Sequence, residues 1–387
     1  MPASPSTARA INDRIALQLL QQEGPLTAGQ LKTMTGLSRP TVADLVERLQ
    51  GSGLIQVVGE AGAQRRGPNA RVYGIVADRA HLAALDVRTQ SVTVVVADLL
   101  GVTLAEASLP IDGDTGTEPA VEQAAALLER TAREAGAARL HSVGIGAPGL
   151  IDPVSGELRD TTGLPAWHRS LVAALQERLP ARVIVENETN LAAVAEKRLG
   201  AAADRDTFVF LWLGHGVGAA LFLDGRLRRG ASGGAGEIGF LPVPGTKGIP
   251  SAVDCEGGFH SLAGSAAVCA LAARHGIEAD RPEDPAAAAL VRKAVASGHG
   301  GFLDDLAHRL SLGVAAVAAV LDPGCVVLGG EVGHAGGAEL AARVESRLAA
   351  LSPLRTEVRA GKLGGAAVLS GALITAREAA QDDLFAR

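Results

Sequence analysis

The 387-residue sequence holds only three cysteines, Cys255, Cys269 and Cys325, and no two form a C-x-x-C pair. So sparse and odd a count excludes a disulfide-framed secreted domain and points to a reducing, cytoplasmic setting. Long apolar runs are also missing. The best candidate, Val314 to Leu328, is broken by Asp322, Pro323 and Gly324, so none reaches membrane-spanning length. At the N-terminus, Asp13 and Arg14 interrupt the stretch where a secretory signal would be uniformly apolar. Nor is positive charge in excess. The chain has 36 Lys and Arg against 42 Asp and Glu, a formal net of −6, which excludes a protein that coats nucleic acid over its whole surface. The expectation is a soluble intracellular protein with no membrane partner.

One further absence is local. "LDVRTQSVTVVVADLLG", Leu85 to Gly101, has the form of an apolar strand ending in Asp86, a polar turn and an alternating strand. A turn that wraps phosphate needs glycine so that backbone N–H groups can approach the anion. Here the turn holds Arg88, Thr89 and Gln90 and no glycine. Arg88 offers a guanidinium to an anion, but an ordinary polar hairpin turn is the plainer reading.

Charge is unevenly placed. Residues 1–78 carry eight basic and six acidic residues, while the remainder carries 28 and 36. In the basic part, Ile11, Ile15, Leu19 and Leu20 predict one helical face, stopped at Gly24-Pro25. Thr27 and Gln30 have capping-box spacing for a second helix that Gly36 ends. Ser38 is the expected N-cap of a third, with Val42, Leu45, Val46 and Leu49 as its buried stripe. Two strands follow, "LIQVVGE" and "RVYGIV", and the tip between them bears Arg65 and Arg66. Helices, tight turn and basic hairpin predict a winged helix-turn-helix. In that geometry Ser38, Arg39, Thr41 and Arg48 face DNA bases, and Arg65 and Arg66 reach phosphates. The alternative is a small helical domain for protein contacts, with Asp44 and Glu47 on a solvated face; spacing, cap and basic tip together favour DNA.

From His81 onward strands alternate with helices. An antiparallel trio is expected at 81–86, 91–98 and 103–109, then a helix over 118–135 and further strands at "SVGIGAPG", "ARVIVEN", "TFVFLWLG", "GAALFLDG" and "CVVLGG". The pattern implies an α/β body of two lobes whose cleft is the default ligand site. Within it, "GLPAW" (163–167), "ENETNLAAVAE" (186–196), "LGHGVGAALFLDGRLRRGASGGAGEIG" (213–239) and "LDPGCVVLGGEVG" (321–333) resemble successive blocks of the ROK family. That family joins sugar kinases and sugar-responsive repressors on a two-lobed actin-like ATPase (ribonuclease H-like) fold. Its repressors carry an N-terminal winged helix-turn-helix.

The resemblance implies a test of kinase chemistry. The kinases' opening D-x-G-G-T hairpin becomes Asp86, Val87, Arg88, Thr89 here, with both glycines gone. Their E-N-D, whose aspartate is the general base, becomes Glu186-Asn187-Glu188. The added methylene displaces the carboxylate, and a shift near 1 Å costs a factor on the order of 100 in rate. A structural zinc site needs a His after "GEIG" and a cysteine cluster. Phe240 and the lone Cys255 stand there instead, so no metal is expected. Asn187 and Glu237 match family positions that bind sugar hydroxyls, and Glu188 is a near match. Gly163 replaces an Asn, Ser261 replaces a Glu, His260 adds a donor, and Trp167 offers either a sugar-ring wall or core packing.

The sequence therefore implies a DNA-binding module over 1–78 and a ROK-like sensor over 79–387. One lobe is expected at about 79–190 plus 371–387 and the other at about 191–370. The expected function is a cytoplasmic repressor of carbohydrate genes without cofactor. Its expected partners are a double-stranded DNA operator, a sugar or sugar-phosphate effector, and further copies of itself as a dimer or tetramer. The alternative is an ATP-dependent sugar kinase with an appended DNA-binding domain.

Overall fold

The structure, a computed structural model, describes residues 5–61, 70–112, 114–159, 166–251, 254–279 and 285–385. The N-terminal unit comprises α1 (Pro5–Gln22), β1 (Leu26–Thr27), α2 (Ala28–Thr35), α3 (Arg39–Gly51), β2 (Ile55–Ala61) and β3 (Ala70–Ile75). Thr27 and Gln30 form the expected capping box, and Gly36 closes α2 at φ 70°. Ser38 caps α3, and its stripe is buried as spacing predicts. The three strands make an antiparallel sheet in the order β1-β3-β2.

The buried face of α1 differs in part from expectation, Leu20 being buried as expected and the isoleucines not. Ile11 and Ile15 are 50% and 40% exposed, while Ala16, Leu17 and Leu20 are buried. At 100° per residue the two isoleucines fall on nearly the opposite face. The periodicity admits either stripe. Packing selects Leu17 and Leu20 because they share a core with α3 residues Leu45 and Leu49 and with the end of the chain, Leu384 and Phe385.

The body repeats one sheet pattern. In the first lobe, β4 (His81–Arg88), β5 (Ser91–Asp98) and β6 (Thr103–Pro110) are antiparallel neighbours. After α4 (Thr117–Glu134), β7 (Leu140–Ala147) pairs parallel with β4, and after α5 (Trp167–Arg178), β8 (Arg182–Asn187) pairs parallel with β7. α6 (Glu188–Leu199) leads to the second lobe, where β9 (Phe208–Leu213), β10 (Val217–Leu223) and β11 (Arg226–Arg228) are again antiparallel. α7 (His260–Ala263), α8 (Ser265–Arg274), α9 (Ala286–Ser297) and α10 (Gly300–Leu321) follow. Then β12 (Cys325–Gly329), α11 (Gly330–Leu351) and β13 (Glu357–Ala360) extend the sheet in parallel on β9. The orders are β6-β5-β4-β7-β8 and β11-β10-β9-β12-β13.

Strand β4 shows how the sequence places the site. Its alternation sends Ala83, Leu85 and Val87 into the core under α4 and α5. Ala84 turns to the opposite core beside Leu191 and Trp212, and Asp86 and Arg88 share that parity. The final helix, α12 (Ala367–Phe385), threads the body to the N-terminal unit. It lies so close to α6 that a Cβ on Gly371 would sit 2.0 Å from the Leu191 carbonyl oxygen. Its far end supplies Ala376, Ala380, Leu384 and Phe385 to the N-terminal core, joined there by Leu82 and Leu99. Arg14 on α1 and Asp382 on α12 add an exposed ion pair.

Candidate functional site

Two regions carry the expected chemistry. The first is the exposed start of α3. Ser38 accepts the Thr41 N–H at 3.3 Å, and the two hydroxyl oxygens are 2.7 Å apart. Ser38 and Arg39 are exposed and Thr41 is half-buried. Arg48, partly exposed, also has partners within the protein. Its Nη2 and Nε donate to Asp13 at 2.6 and 3.3 Å, and Nη1 donates to Asp44. Those bonds staple α3 to α1 and leave few donors for DNA. Arg65 and Arg66 lie outside the described residues.

The second region lies between the two sheets. The segment 186–190 is held by its own side chains. Glu186 Oε1 accepts the Asn187 N–H at 3.0 Å and the Asn190 Nδ2 at 2.9 Å, while Oε2 accepts Arg229 Nε at 2.5 Å. Asn187 Oδ1 caps α6 by accepting Thr189 N–H at 2.8 Å, and its Nδ2 donates to the Gly149 carbonyl at 2.9 Å. Glu188 begins α6. Burial pushes its pKa up to about 8, with the Asp86 charge adding to the effect and the Arg88 charge opposing it. A carboxyl raised in this way keeps its proton more readily than an ordinary glutamate and can donate to a hydroxyl.

Around this segment, Glu237 is held by the "GASGGAG" loop. That loop packs against the first lobe so tightly that a Cβ on Gly233, at φ 81°, would sit 1.9 Å from the Ile151 carbonyl oxygen. Glycine is therefore required there by close approach of two backbones. Partial burial raises the Glu237 carboxyl above its ordinary value. His260, half-buried at the start of α7, lies 3.9 Å from where a Gly216 Cβ would be, which brings it to the 214–218 turn. Burial lowers its pKa, so it stays a neutral imidazole near pH 7. Gly163 lies outside the described residues. Trp167 is 4% exposed within the first lobe's core, which settles its role as packing.

The turn is the tight polar hairpin expected, with Arg88 paired to Ser91 at its base, and Arg88 adds ion pairs to it. Its Nε donates to Asp86 Oδ2 at 3.0 Å and its Nη1 to Glu331 Oε1 at 2.7 Å, so the guanidinium holds two carboxylates. Glu331 was not singled out in the sequence, nor was the Glu186–Arg229 pair. The signal lay in a long cation replacing glycine and a carboxylate following "LGG". The glycines of "LGG" have packing reasons: at Gly330, φ 70°, a Cβ would meet the Leu213 carbonyl oxygen at 2.4 Å. Among the described residues no group of three or more His, Cys, Asp or Glu could hold a metal ion. Among them, too, no helix is long and apolar enough to cross a membrane.

Comparison with known proteins fits both regions. The ROK family model matches residues 82–379, and a winged helix-turn-helix DNA-binding model matches residues 9–56. The DNA-binding transcriptional dual regulator NagC of Escherichia coli is 26% identical over 345 residues, covering 84% of this chain and 82% of that protein. A ROK family transcriptional regulator, a homologue of the E. coli MLC protein, superposes with a TM-score of 0.76 at 21% identity over 98% of both chains. A ROK hexokinase of Thermus thermophilus gives 0.63 at 28% identity, covering 78% of this chain and 99% of that one.

Proposed function

The chain belongs to the ROK family and carries a winged helix-turn-helix, and from that premise we propose a DNA-binding repressor of carbohydrate genes. A sugar or sugar phosphate bound between the lobes controls it. The observation that carries the reading is physical continuity. α6 begins at Glu188 in the cleft, α12 packs along α6, and the end of α12 is built into the core of the DNA-binding unit. A ligand that favours one lobe arrangement then reaches the winged unit through packed helices. The shift is limited by the ligand's difference in affinity for the two arrangements.

The functional units are taken as 1–78 and 79–387, the second divided into lobes at about residue 190 with the C-terminal helix returning to the first. Ser38, Arg39 and Thr41 form the base-reading face. Arg65 and Arg66 supply phosphate contacts. Asn187, Glu188, Glu237 and His260 line the sugar-binding part of the cleft, and Gly163 belongs to the same ligand-binding set. In the cytoplasm two copies match a pseudo-palindromic operator. Replacing Arg65 by Ala should weaken binding to all duplexes alike and reduce the salt slope by about one unit. A changed sequence preference at constant slope would assign it to base reading instead.

The chain does not act as a kinase in this reading: Glu188 replaces the aspartate of the kinases' E-N-D, and Arg88, bound to Asp86 and Glu331, stands where the kinases' turn has glycine. Likeness to the hexokinase is the observation favouring the rival. An ADP-release assay over a panel of hexoses tests it, and robust turnover would establish a kinase. Thermal-shift screening against sugars and sugar phosphates tests the ligand, since binding to the native state raises the melting temperature.

A further inference from the structure

Two ion pairs cross between the sheets. Arg229, just after β11 of the second lobe, reaches Glu186 on β8 of the first, where the carboxylate is 7% exposed. Arg88 ends β4 of the first lobe and reaches Glu331 in the first turn of α11 in the second, while also gripping Asp86. The Asp86 and Glu331 side chains are 6% and 17% exposed. Charge-assisted bonds of this kind are stronger than neutral ones, and the three carboxylates are shielded from solvent while the Arg229 guanidinium is half exposed.

The Arg88 bridge closes a particular place. Three turns meet there: the β4–β5 turn, the turn after β9 and the turn between β12 and α11. Glu331 leads out of the last of these. Its Oε2 is also 3.0 Å from where a Cβ on Gly214 would stand. One guanidinium and one carboxylate thus span the gap between turns that belong to different lobes. A guanidinium has a fixed fork of donors, and here Nε and Nη1 serve carboxylates from opposite lobes. An incoming polyphosphate would meet Asp86, Glu188 and Glu331 around a cation already held by two of them.

We propose that Arg88 is an interlobe latch: held by Asp86 and Glu331, it joins the lobes without a bound nucleotide and bars nucleoside triphosphates from that end of the cleft. The cleft then has room for one ligand, beside the latch at Glu188, Glu237 and His260, and that consequence rests on the ligand reading above.

The test uses the full chain with Arg88→Gln, Glu331→Gln and the double variant, without any sugar. Hydrogen exchange is followed at 86–92 and 330–334, and melting temperature with and without about 1 mM magnesium AMPPNP. A latch predicts that each single variant speeds exchange in both segments by about tenfold, the double being no faster than the faster single. AMPPNP should leave the native protein's melting temperature unchanged. Effects confined to the mutated segment, effects that add in the double variant, or stabilisation of the native protein by AMPPNP would overturn the proposal. If Arg88→Gln does not fold, Glu331→Gln alone decides it through exchange at 86–92.

Discussion

The winged unit and the second lobe both press on the first lobe, but by different physics. Where the winged unit meets α12, the contact is a continuous apolar core: Leu17, Leu49 and Leu54 with Ala376, Ala380, Leu384 and Phe385. Where the lobes meet across the cleft, the ion pairs Arg88–Glu331 and Arg229–Glu186 span them beside an apolar cluster that Ala84 of the first lobe shares with Phe210 and Trp212 of the second. Close-packed apolar surfaces resist partial displacement, whereas polar partners can be exchanged for a ligand's hydroxyls. The difference divides labour. Movement begins where contacts can be traded and is carried, with little slack, where they cannot.

The largest test breaks the apolar side. Leu384 is 4% exposed, and Leu384→Ala should cost about 3 kcal/mol in chemical denaturation through lost burial and a residual cavity. It should also uncouple operator affinity from ligand. An effect below about 0.5 kcal/mol would mean that α12 only rests on the winged unit. On the ionic side Arg229→Ala should cost less, about 1 kcal/mol, because its guanidinium is 48% exposed and Glu186 keeps two other donors. A loss as large as that of Leu384→Ala would erase the contrast.

A separate test concerns pH. Glu188 has a folded pKa of about 8, above the ordinary carboxylate value. Its protonated form is favoured in the native state, so this contribution to stability is complete at low pH and is lost as pH rises toward 8. Glu188→Gln removes that loss. Melting curves should show the variant gaining on the native protein between pH 5 and pH 8.5, with little difference at pH 5. A constant offset across that range would show that Glu188 is not held protonated.

Much of this was legible in the chain. Local rules fixed the caps at Thr27 and Ser38, the α3 stripe and the β4–β5–β6 trio, because each depends on neighbours a few residues apart. What escaped depends on partners far along the sequence. The face of α1 is chosen partly by residues near 384, and the fate of Arg88 by a carboxylate 243 positions away. The Arg48–Asp13 pair escaped for a similar reason, since the spacing that puts Arg48 on an exposed face also brings it to Asp13 across the helix pair.

The most direct test of the whole account is reciprocal linkage. A duplex selected from a random pool by the full chain is titrated with and without the sugar that most raises the melting temperature. The account predicts a change in DNA affinity of about tenfold or more, matched by an equal change in sugar affinity when DNA is bound. A sugar that binds and stabilises yet leaves DNA affinity unaltered would contradict it.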